Sequence, residues 1–271
     1  MPLAVCATPI GNLEDVTLRV LSELRAADVV LCEDTRRTRI LLDRHGIEAR
    51  LLSHHRHNEA SRTEEVLARL RRGERVALVS DAGLPGVNDP GTRLISAAAA
   101  AELDVTVLPG PSAVETALVV SGLAGGRYQF VGYLPRRAGE LGELARALAR
   151  WPGAVVAFES PRRLPKSLAV LAEEMPERSA AVCRELTKRF EEVARGTLDE
   201  LAAEFTEPPK GEITLVLGEP AGGARSVVDE GDVALEAVRE LVAAGVSRRQ
   251  AAEVVSKLTG ASKNALYRGT L

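Results

Sequence analysis

The first 120 residues alternate between short apolar runs and longer segments with apolar side chains at helical spacing. Runs such as Leu3–Cys6 and Val29–Cys32 are typical of buried strands, and residues 35–45 have the pattern of an amphipathic helix that ends at Gly46. The same criteria predict helices near residues 16–26, 62–71, 92–101 and 113–120, and strands at residues 51–52, 76–79 and 105–108. This alternation indicates a mainly parallel sheet covered by helices on both faces.

The pattern changes after residue 121. Residues 122–126 are rich in glycine and predict a linker. Beyond it, apolar runs predict strands near residues 129–132, 154–158, 180–184, 190–196 and 212–217, with helices near residues 140–149 and 164–173 and between the last two strands. Because several of these strands follow one another directly, we expect a second α/β or α+β domain with antiparallel neighbours.

The end of the chain has only helical patterns. Residues 220–223 predict a second linker, and helices follow near residues 234–243, 248–257 and 263–267. Ser247 and Ser262 stand after the two breaks and are good N-cap residues. The expected organisation is an N-terminal α/β domain at residues 1–121, a C-terminal α/β domain at residues 122–220, and a linker with a helical extension at residues 221–271.

Composition narrows the class of protein. A hydrophobic content of 45% is typical of a globular protein with a sizeable core. The formal net charge of −3 excludes a uniformly basic nucleic-acid binder but not a local basic face. The aromatic content of 3% gives no sign of an extended base-stacking surface. No signal-peptide pattern and no apolar stretch near the ~20 residues of a membrane span is visible, so we expect a cytoplasmic protein without membrane contact.

Cysteine and histidine give no clear metal pattern. Cys6, Cys32 and Cys183 are widely spaced, which favours buried free thiols. The cluster at residues 54–57 contains three of the four histidines and could bind metal or phosphate. A polar loop after a strand is the preferred interpretation, because no carboxylate stands at the spacing that would complete a zinc site. We expect no metal.

Three segments rich in Gly and Pro follow predicted strands, at residues 8–13, 80–91 and 109–113. Ligands of open α/β sheets bind outside the carboxyl ends of the strands. Three such segments therefore predict one shared cleft walled by backbone amides, with ordinary connecting turns as the alternative.

The chemistry open to this cleft is limited by missing motifs. The dinucleotide fingerprint, the P-loop, the nucleophile elbow and the His-Glu-x-x-His zinc motif do not occur. What remains are carboxylates after strands, suited to ribose hydroxyls, an ammonium or a sulfonium cation, and arginines suited to an anionic second substrate. These residues are Glu33, Asp34, Asp81 and Asp89, followed by Arg36, Arg37 and Arg39. A helix start with acids at its N-terminal end is the less favoured explanation of residues 33–39.

Eight motifs in order resemble one family. They are residues 8–13, Glu33-Asp34-Thr35-Arg36, residues 80–83 with 88–91, residues 109–113, Gly132-Tyr133-Leu134-Pro135, residues 158–163, residues 184–188 and Lys210-Gly211-Glu212. Together they resemble the bacterial small-subunit ribosomal RNA 2′-O-methyltransferases, which modify the ribose of a decoding-centre cytidine and belong to the tetrapyrrole methylase superfamily. The resemblance runs from about residue 3 to residue 218, and residues 247–268 are similar to the helical extension of these enzymes.

The resemblance implies methyl transfer from S-adenosylmethionine, a homodimer, and an α/β fold of two domains of tetrapyrrole methylase type with the cofactor cleft between them, plus a small C-terminal helical extension. It implies that Glu33 and Asp34 face the RNA or support the first domain rather than binding the cofactor. Leu84 stands where the family usually has threonine. The implied cofactor contacts are Pro9, Ser80, Asp81, Ala82, Gly83, Ser112, Ala113 and Glu159.

In the implied reaction the ribose 2′-oxygen attacks the methyl group in line with the sulfur, and good alignment can contribute ~7–11 kcal/mol. The hydroxyl proton must leave, so a nearby carboxylate or lysine would act as base. The unranked candidates for the base are Asp34, Asp89, Glu185 and Lys210. The candidate contacts to small-subunit ribosomal RNA are Arg36, Arg37, Arg248, Arg249, Lys257 and Lys263. For the terminal helices, a cap that packs on the second domain is the alternative.

Other functions stay open at this point. A tetrapyrrole C-methyltransferase acting on a corrin or porphyrin, or an enzyme that modifies a protein residue, would keep the fold and the cofactor. Tetrapyrrole enzymes usually carry Gly-Pro-Gly-Asp in the first loop, whereas this chain has Pro9-Ile10-Gly11-Asn12, which together with the basic tail favours RNA. A non-catalytic ribosome-binding protein is the alternative from another class.

Overall fold

The three-dimensional structure is a computed structural model, which describes residues 2–220 and 230–270. The chain divides into two compact units, Met1–Pro220 and Ala221–Leu271. The first unit contains two five-stranded sheets. No helix in the described ranges is long and apolar enough to cross a membrane.

The first sheet is entirely parallel, in the strand order β3-β2-β4-β1-β5. Its core lies on both faces, because successive strand side chains point to opposite sides: Ala4 and Cys6 pack in one cluster, and Leu3 and Val5 pack in the other. The parallel sheet predicted from the alternating pattern is confirmed. The strands are β1 (Leu3–Cys6), β2 (Val29–Cys32), β3 (Leu51–Ser53), β4 (Val76–Val79) and β5 (Val105–Leu108), and the helices are α1 (Leu18–Ala26), α2 (Thr35–Arg44), α3 (Glu59–Arg71) and α4 (Thr92–Ala100).

The second sheet is mixed, in the order β6-β7-β10-β8-β9. The predicted antiparallel neighbours are confirmed for β7 with β10, β10 with β8, and β8 with β9. The first two strands pair in parallel, because a helix connects them as a crossover. The strands are β6 (Tyr128–Tyr133), β7 (Ala154–Glu159), β8 (Ser179–Arg184), β9 (Glu192–Thr197) and β10 (Ile213–Leu217), and the helices are α6 (Ala138–Ala149), α7 (Leu164–Glu174) and α8 (Leu198–Glu204).

One helix joins the two sheets. The helix α5 (Ala113–Ser121) follows β5 in sequence, yet its buried residues Val114, Ala117 and Leu118 pack on the second sheet. It ends at Gly122, whose φ of 74° is the left-handed conformation that glycine adopts without strain. By packing, α5 belongs with the second sheet, although the expected domain boundary after residue 121 would assign it to the first. That boundary stays a prediction.

The second unit is helical, with α9 (Glu230–Ala243), α10 (Arg248–Thr259) and α11 (Lys263–Arg268). Its small core contains Ala234, Val238, Ala251, Ala252, Val255 and Leu266. Ser247 and Ser262 occupy the predicted N-cap positions, but neither side chain accepts a hydrogen bond from its helix. The Ser247 hydroxyl donates instead to the Gln250 side chain at 2.6 Å. Of the predicted second linker, residues 221–223 lie outside the described residues.

Candidate active site

A cavity of about 930 Å³ lies at the carboxyl ends of β1, β4 and β5. Its wall includes Ile10 from the first Gly/Pro-rich loop, residues 81–84 and 87–89 from the second, and residues 109–113 from the third. The ends of β6, β7 and β10 supply the opposite wall. The predicted convergence of three strand-end loops on one cleft is confirmed.

Backbone contacts hold the loops together. Thr8 and Gly83 exchange two hydrogen bonds, with the Thr8 amide donating at 2.8 Å and the Gly83 amide donating at 3.0 Å. Gly83 has a φ of 76°, where other residues are strained. At Gly110, an added Cβ would lie 2.9 Å from the Ala7 Cβ, so only glycine permits this approach. The glycines are therefore needed for the shape of the cavity.

Six of the eight residues predicted to bind the cofactor line this cavity: Asp81, Ala82, Gly83, Ser112, Ala113 and Glu159. The other two, Pro9 and Ser80, are buried and do not line the cavity. The Ser80 hydroxyl donates to the Gly83 carbonyl at 3.1 Å and supports the loop from within. Whether any of these residues contacts a cofactor stays a prediction.

Glu159 lines the cavity from β7, and both oxygens of its carboxylate already accept hydrogen bonds. One oxygen accepts from the Ser160 amide at 2.5 Å and the other from the Ser167 hydroxyl at 2.5 Å. Arg163 completes the arrangement as an ion pair. Because the residue is only 2% exposed, these partners compensate for the cost of burying its charge. Glu159 therefore has a structural role in the wall, because its charge is already paired with Arg163.

Three carboxylates of the first sheet face the same cavity: Glu33, Asp81 and Asp89. Asp81 accepts a hydrogen bond from the Asp34 amide at 3.0 Å and lies 3.7 Å from the Arg37 guanidinium. Asp89 is half-buried, and burial together with the charges of Glu33 and Asp81 raises its pKa to about 6. A carboxylate with this pKa is a candidate general base at neutral pH.

The structure separates Asp89 from the other three candidates for the base. Asp34 caps α2 and pairs with Arg36 at 2.8 Å, and these hydrogen bonds lower its pKa to about 2. Asp34 does not line the cavity, although Glu33 beside it does.

The second pair of candidates lies outside the lining as well. The Glu185 carboxylate accepts from Lys188 Nζ at 2.8 Å and from the Glu212 amide at 2.9 Å. These hydrogen bonds lower the pKa of Glu185, the lysine contributing most. Lys210 is exposed. Among the four, only Asp89 reaches the cavity.

An aromatic wall was not foreseen from the sequence. Tyr128, Phe130, Tyr133 and Phe158 line the cavity from β6 and β7. Phe158 contacts Phe130 edge-to-face at 4.9 Å between ring centroids and Tyr133 at 5.6 Å. The low overall aromatic content concealed this local cluster, although the motifs at residues 132–135 and 158–163 contain Tyr133 and Phe158. Leu84, the departure from the family pattern, also faces the cavity.

The candidate RNA contacts fall into two groups. Arg37 lines the cavity, and the exposed Arg36 pairs with Asp34 at its edge. In the terminal unit, Lys257 and Lys263 both pair with Glu253, at 3.5 and 2.6 Å. That part of the basic face is therefore partly neutralised.

The two remaining arginines, Arg248 and Arg249, lie in the first turn of α10. Arg248 is half-buried and Arg249 is exposed.

The three cysteines are free and buried, as predicted. Within the part of the chain that the structure describes, no group of three or more His, Cys, Asp or Glu side chains could hold a metal ion.

Comparison with known proteins agrees with this architecture. Residues 2–202 match the family described as Tetrapyrrole (Corrin/Porphyrin) Methylases, and residues 229–270 match the RsmI C-terminal HTH domain. The chain is 44% identical to the ribosomal RNA small subunit methyltransferase I of Mesorhizobium japonicum, over 99% of this chain and 91% of the relative. It is 39% identical to the protein of that name from Escherichia coli O157:H7, over 99% and 94%.

Solved structures share the fold at lower identity. A diphthine synthase superposes with a TM-score of 0.64 at 17% identity, covering 80% of this chain and 90% of the other. The uroporphyrin-III C-methyltransferase of Thermus thermophilus, crystallised with S-adenosyl homocysteine, superposes with a TM-score of 0.58 at 19% identity, covering 81% and 98%. The parallel and mixed sheets, the convergent loops and the extent of these matches lead to one assignment: the chain belongs to the tetrapyrrole methylase family and, within it, to the ribosomal RNA small subunit methyltransferases I.

Proposed function

We propose that this chain transfers a methyl group from S-adenosylmethionine to the ribose 2′-hydroxyl of a cytidine in small-subunit ribosomal RNA. The observation that carries the proposal is that three strand-end loops meet the half-buried carboxylate of Asp89 in one cavity. The names of relatives that are 39–44% identical over nearly the whole chain support the choice of RNA as acceptor.

The cavity fits the methyl donor in size and chemistry. Its volume of about 930 Å³ lies within the usual range of small-molecule sites, roughly 300–1,000 Å³. Backbone groups of residues 81–83 and 112–113 would hold an adenosine, with Ile10 as an apolar contact. Asp81 would accept from ribose hydroxyls or face the sulfonium. When bound, S-adenosylmethionine supplies an electrophilic methyl group.

Asp89 is assigned the role of general base. A carboxylate with a pKa of about 6 is mostly ionised at neutral pH and is still basic enough to take the proton of a hydroxyl that is being alkylated. Asp34 is unsuited, because Arg36 and its helix cap hold its pKa at about 2. The main contribution of the other lining residues is to position donor and acceptor in line.

We assign RNA binding to Arg36 and Arg37 at the cavity and to Arg248, Arg249, Lys257 and Lys263 in the terminal unit. Arginine and lysine contact phosphates, and helix-turn-helix modules dock short helices on nucleic acid. The homodimer implied by the resemblance and the cytoplasmic location expected from the sequence belong to this proposal as well.

The test uses small ribosomal subunits that lack the modification. Radiolabelled S-adenosylmethionine and the full chain should transfer label to the RNA, and nuclease digestion should release it as 2′-O-methylcytidine. Label on a porphyrin precursor instead would favour the tetrapyrrole alternative. Subunit binding without any transfer would favour a non-catalytic ribosome-binding protein.

A further inference from the structure

Tyr133 is an exposed aromatic residue at the cavity. It lines the cavity wall, yet 62% of its surface is accessible. The chain has only three tyrosines and four phenylalanines, and two of each line this one cavity. An exposed aromatic ring beside a polar site is available to contact a ligand that binds from solution.

A β-bulge directs Tyr133 toward this position. Phe130 pairs with Val156 and Tyr133 pairs with Phe158, so β6 contains one more residue than β7 over this stretch. Gly132 lies in the bulge with a φ of 70°, a conformation that favours glycine. Bulges are frequent beside active sites, where they redirect side chains.

The bulge also lies against the loop that carries Asp89. An added Cβ at Gly132 would lie 3.1 Å from Asn88 Oδ1, so the two segments approach closely where the glycine stands. Partial burial, followed by the charges of Glu212 and Asp89, raises the pKa of Tyr133. The phenol therefore stays protonated at neutral pH.

The ring of Tyr133 is held in place without being covered. Its edge-to-face contact with Phe158 has an interplanar angle of 64° and a centroid distance of 5.6 Å. Phe158 is itself braced by Phe130. Aromatic pairs of this geometry stabilise the packing beyond the effect of their buried area. A preorganised ring loses little freedom when a partner stacks on it.

We propose that Tyr133 is the platform on which the base of the acceptor nucleotide stacks, which positions the attached ribose beside Asp89. The inference rests on the proposed function and names how that site holds its RNA substrate. Unpaired bases of RNA are commonly recognised by stacking on aromatic side chains. Tyr133 is thus a positioning residue, and Asp89 is the group that takes the proton.

The test compares Tyr133→Ala, Tyr133→Leu and Tyr133→Phe in methyl transfer to unmodified small subunits. Stacking on an aromatic ring is worth ~1–3 kcal/mol per base, so the Ala and Leu variants should lower kcat/KM by about 5–150-fold. The Phe variant should stay within about threefold of the wild type, because it keeps the ring. The affinity for S-adenosylmethionine, measured by calorimetry, should not change in any of them.

Phe190→Ala serves as the matched control. Phe190 is similarly exposed, at 66%, but it does not line the cavity. Its removal should leave kcat/KM unchanged. Thermal melts of every variant identify misfolding. If Tyr133→Ala fails to fold, the difference in kcat/KM between Tyr133→Leu and Tyr133→Phe tests the stacking role.

Three results would overturn the stacking role. They are an alanine variant as active as the wild type, a phenylalanine variant as impaired as alanine, and a loss of cofactor affinity that accounts for the loss of activity. Absence of methyl transfer by the wild-type chain is a separate result. It would refute the proposed function, and the stacking role would fall with it.

Discussion

The two walls of the cavity come from sheets of different topology, and they contribute different chemistry. The first sheet is all parallel, so every strand ends at the same edge, and the carboxylates of Glu33, Asp81 and Asp89 gather there. The mixed second sheet contributes aromatic rings from β6 and β7. Parallel topology therefore places polar loop residues at one edge. The aromatic residues of the second wall are positioned instead by how individual strands bend and pack.

The carboxylates of the two walls differ as well. On the first wall, Asp89 is half-buried beside other acids, and its pKa is raised to about 6. On the second wall, Glu159 is buried but paired with Arg163 and hydrogen-bonded to Ser167. We infer that Asp89 is the reactive acid of the first wall and that Glu159 has a structural role on the second wall.

The largest effect is expected when Asp89 on the first wall is replaced. Asp89→Asn should lower kcat about 10²–10⁴-fold, because general-base catalysis is worth that much and the amide cannot take the proton. Single-turnover methyl transfer to unmodified subunits measures it. Asp34→Asn is the matched control, since Asp34 lies outside the cavity. Equal losses in both variants would contradict the distinction between these two residues.

Next in size is the effect of Asp81 on the cofactor. Asp81→Ala should weaken S-adenosylmethionine binding about 10–100-fold, because hydrogen bonds to charged groups contribute ~1.5–3 kcal/mol. Calorimetry with the donor alone gives the dissociation constant without any RNA. An unchanged affinity would refute the assignment of Asp81 to the cofactor.

A pH profile should show the raised pKa of Asp89. The active form of the base is the carboxylate, so kcat should rise roughly tenfold from pH 5 to pH 7 and level off above that, as expected for a pKa of about 6. Arg56 opposes the shift caused by burial and by Glu33 and Asp81. Arg56→Gln should therefore move the inflection upward. A profile that is flat between pH 5 and pH 7 would rule out Asp89 as the base.

The smallest effect on activity is expected when a hydrogen-bond partner of Glu159 on the second wall is removed. Ser167→Ala removes the hydroxyl that donates to Glu159 at 2.5 Å. Loss of a hydrogen bond to a buried charge should lower the free energy of unfolding by about 2 kcal/mol, measured by urea denaturation. Methyl transfer at a temperature well below the transition should stay within twofold. A large loss of kcat with unchanged stability would assign Glu159 a direct role instead.

Much of the fold could be predicted from the sequence because its signals are local. Short apolar runs rich in valine favour buried strands, and the observed bounds of Val29–Cys32 and Val76–Val79 agree. The turn residues of the three loops were equally clear, since Gly83 and Gly110 mark conformations or contacts that other residues disfavour. The position of the cavity then follows from the rule that strands of a parallel sheet end at one edge.

Part of the site depends on contacts between distant segments. Four candidates for the base could not be ranked, because the pKa of an acid depends on neighbours that sequence spacing does not reveal. Asp34 and Asp89 both follow strands, but Asp34 pairs with an arginine, whereas Asp89 is half-buried near the charges of Glu33 and Asp81. The packing of α5 on the second sheet was hidden for the same reason, since its apolar positions would suit either sheet.

The strands, the helices, the three glycine-rich turns and the family could be read from the sequence, because each depends on nearby residues or on motifs in order. The folded chain was needed to show that Asp89 alone of four candidates reaches the cavity and that Tyr133 lines it from a bulge. Burial, electrostatic neighbours and strand register arise between residues far apart in the chain, and local chemistry does not specify them.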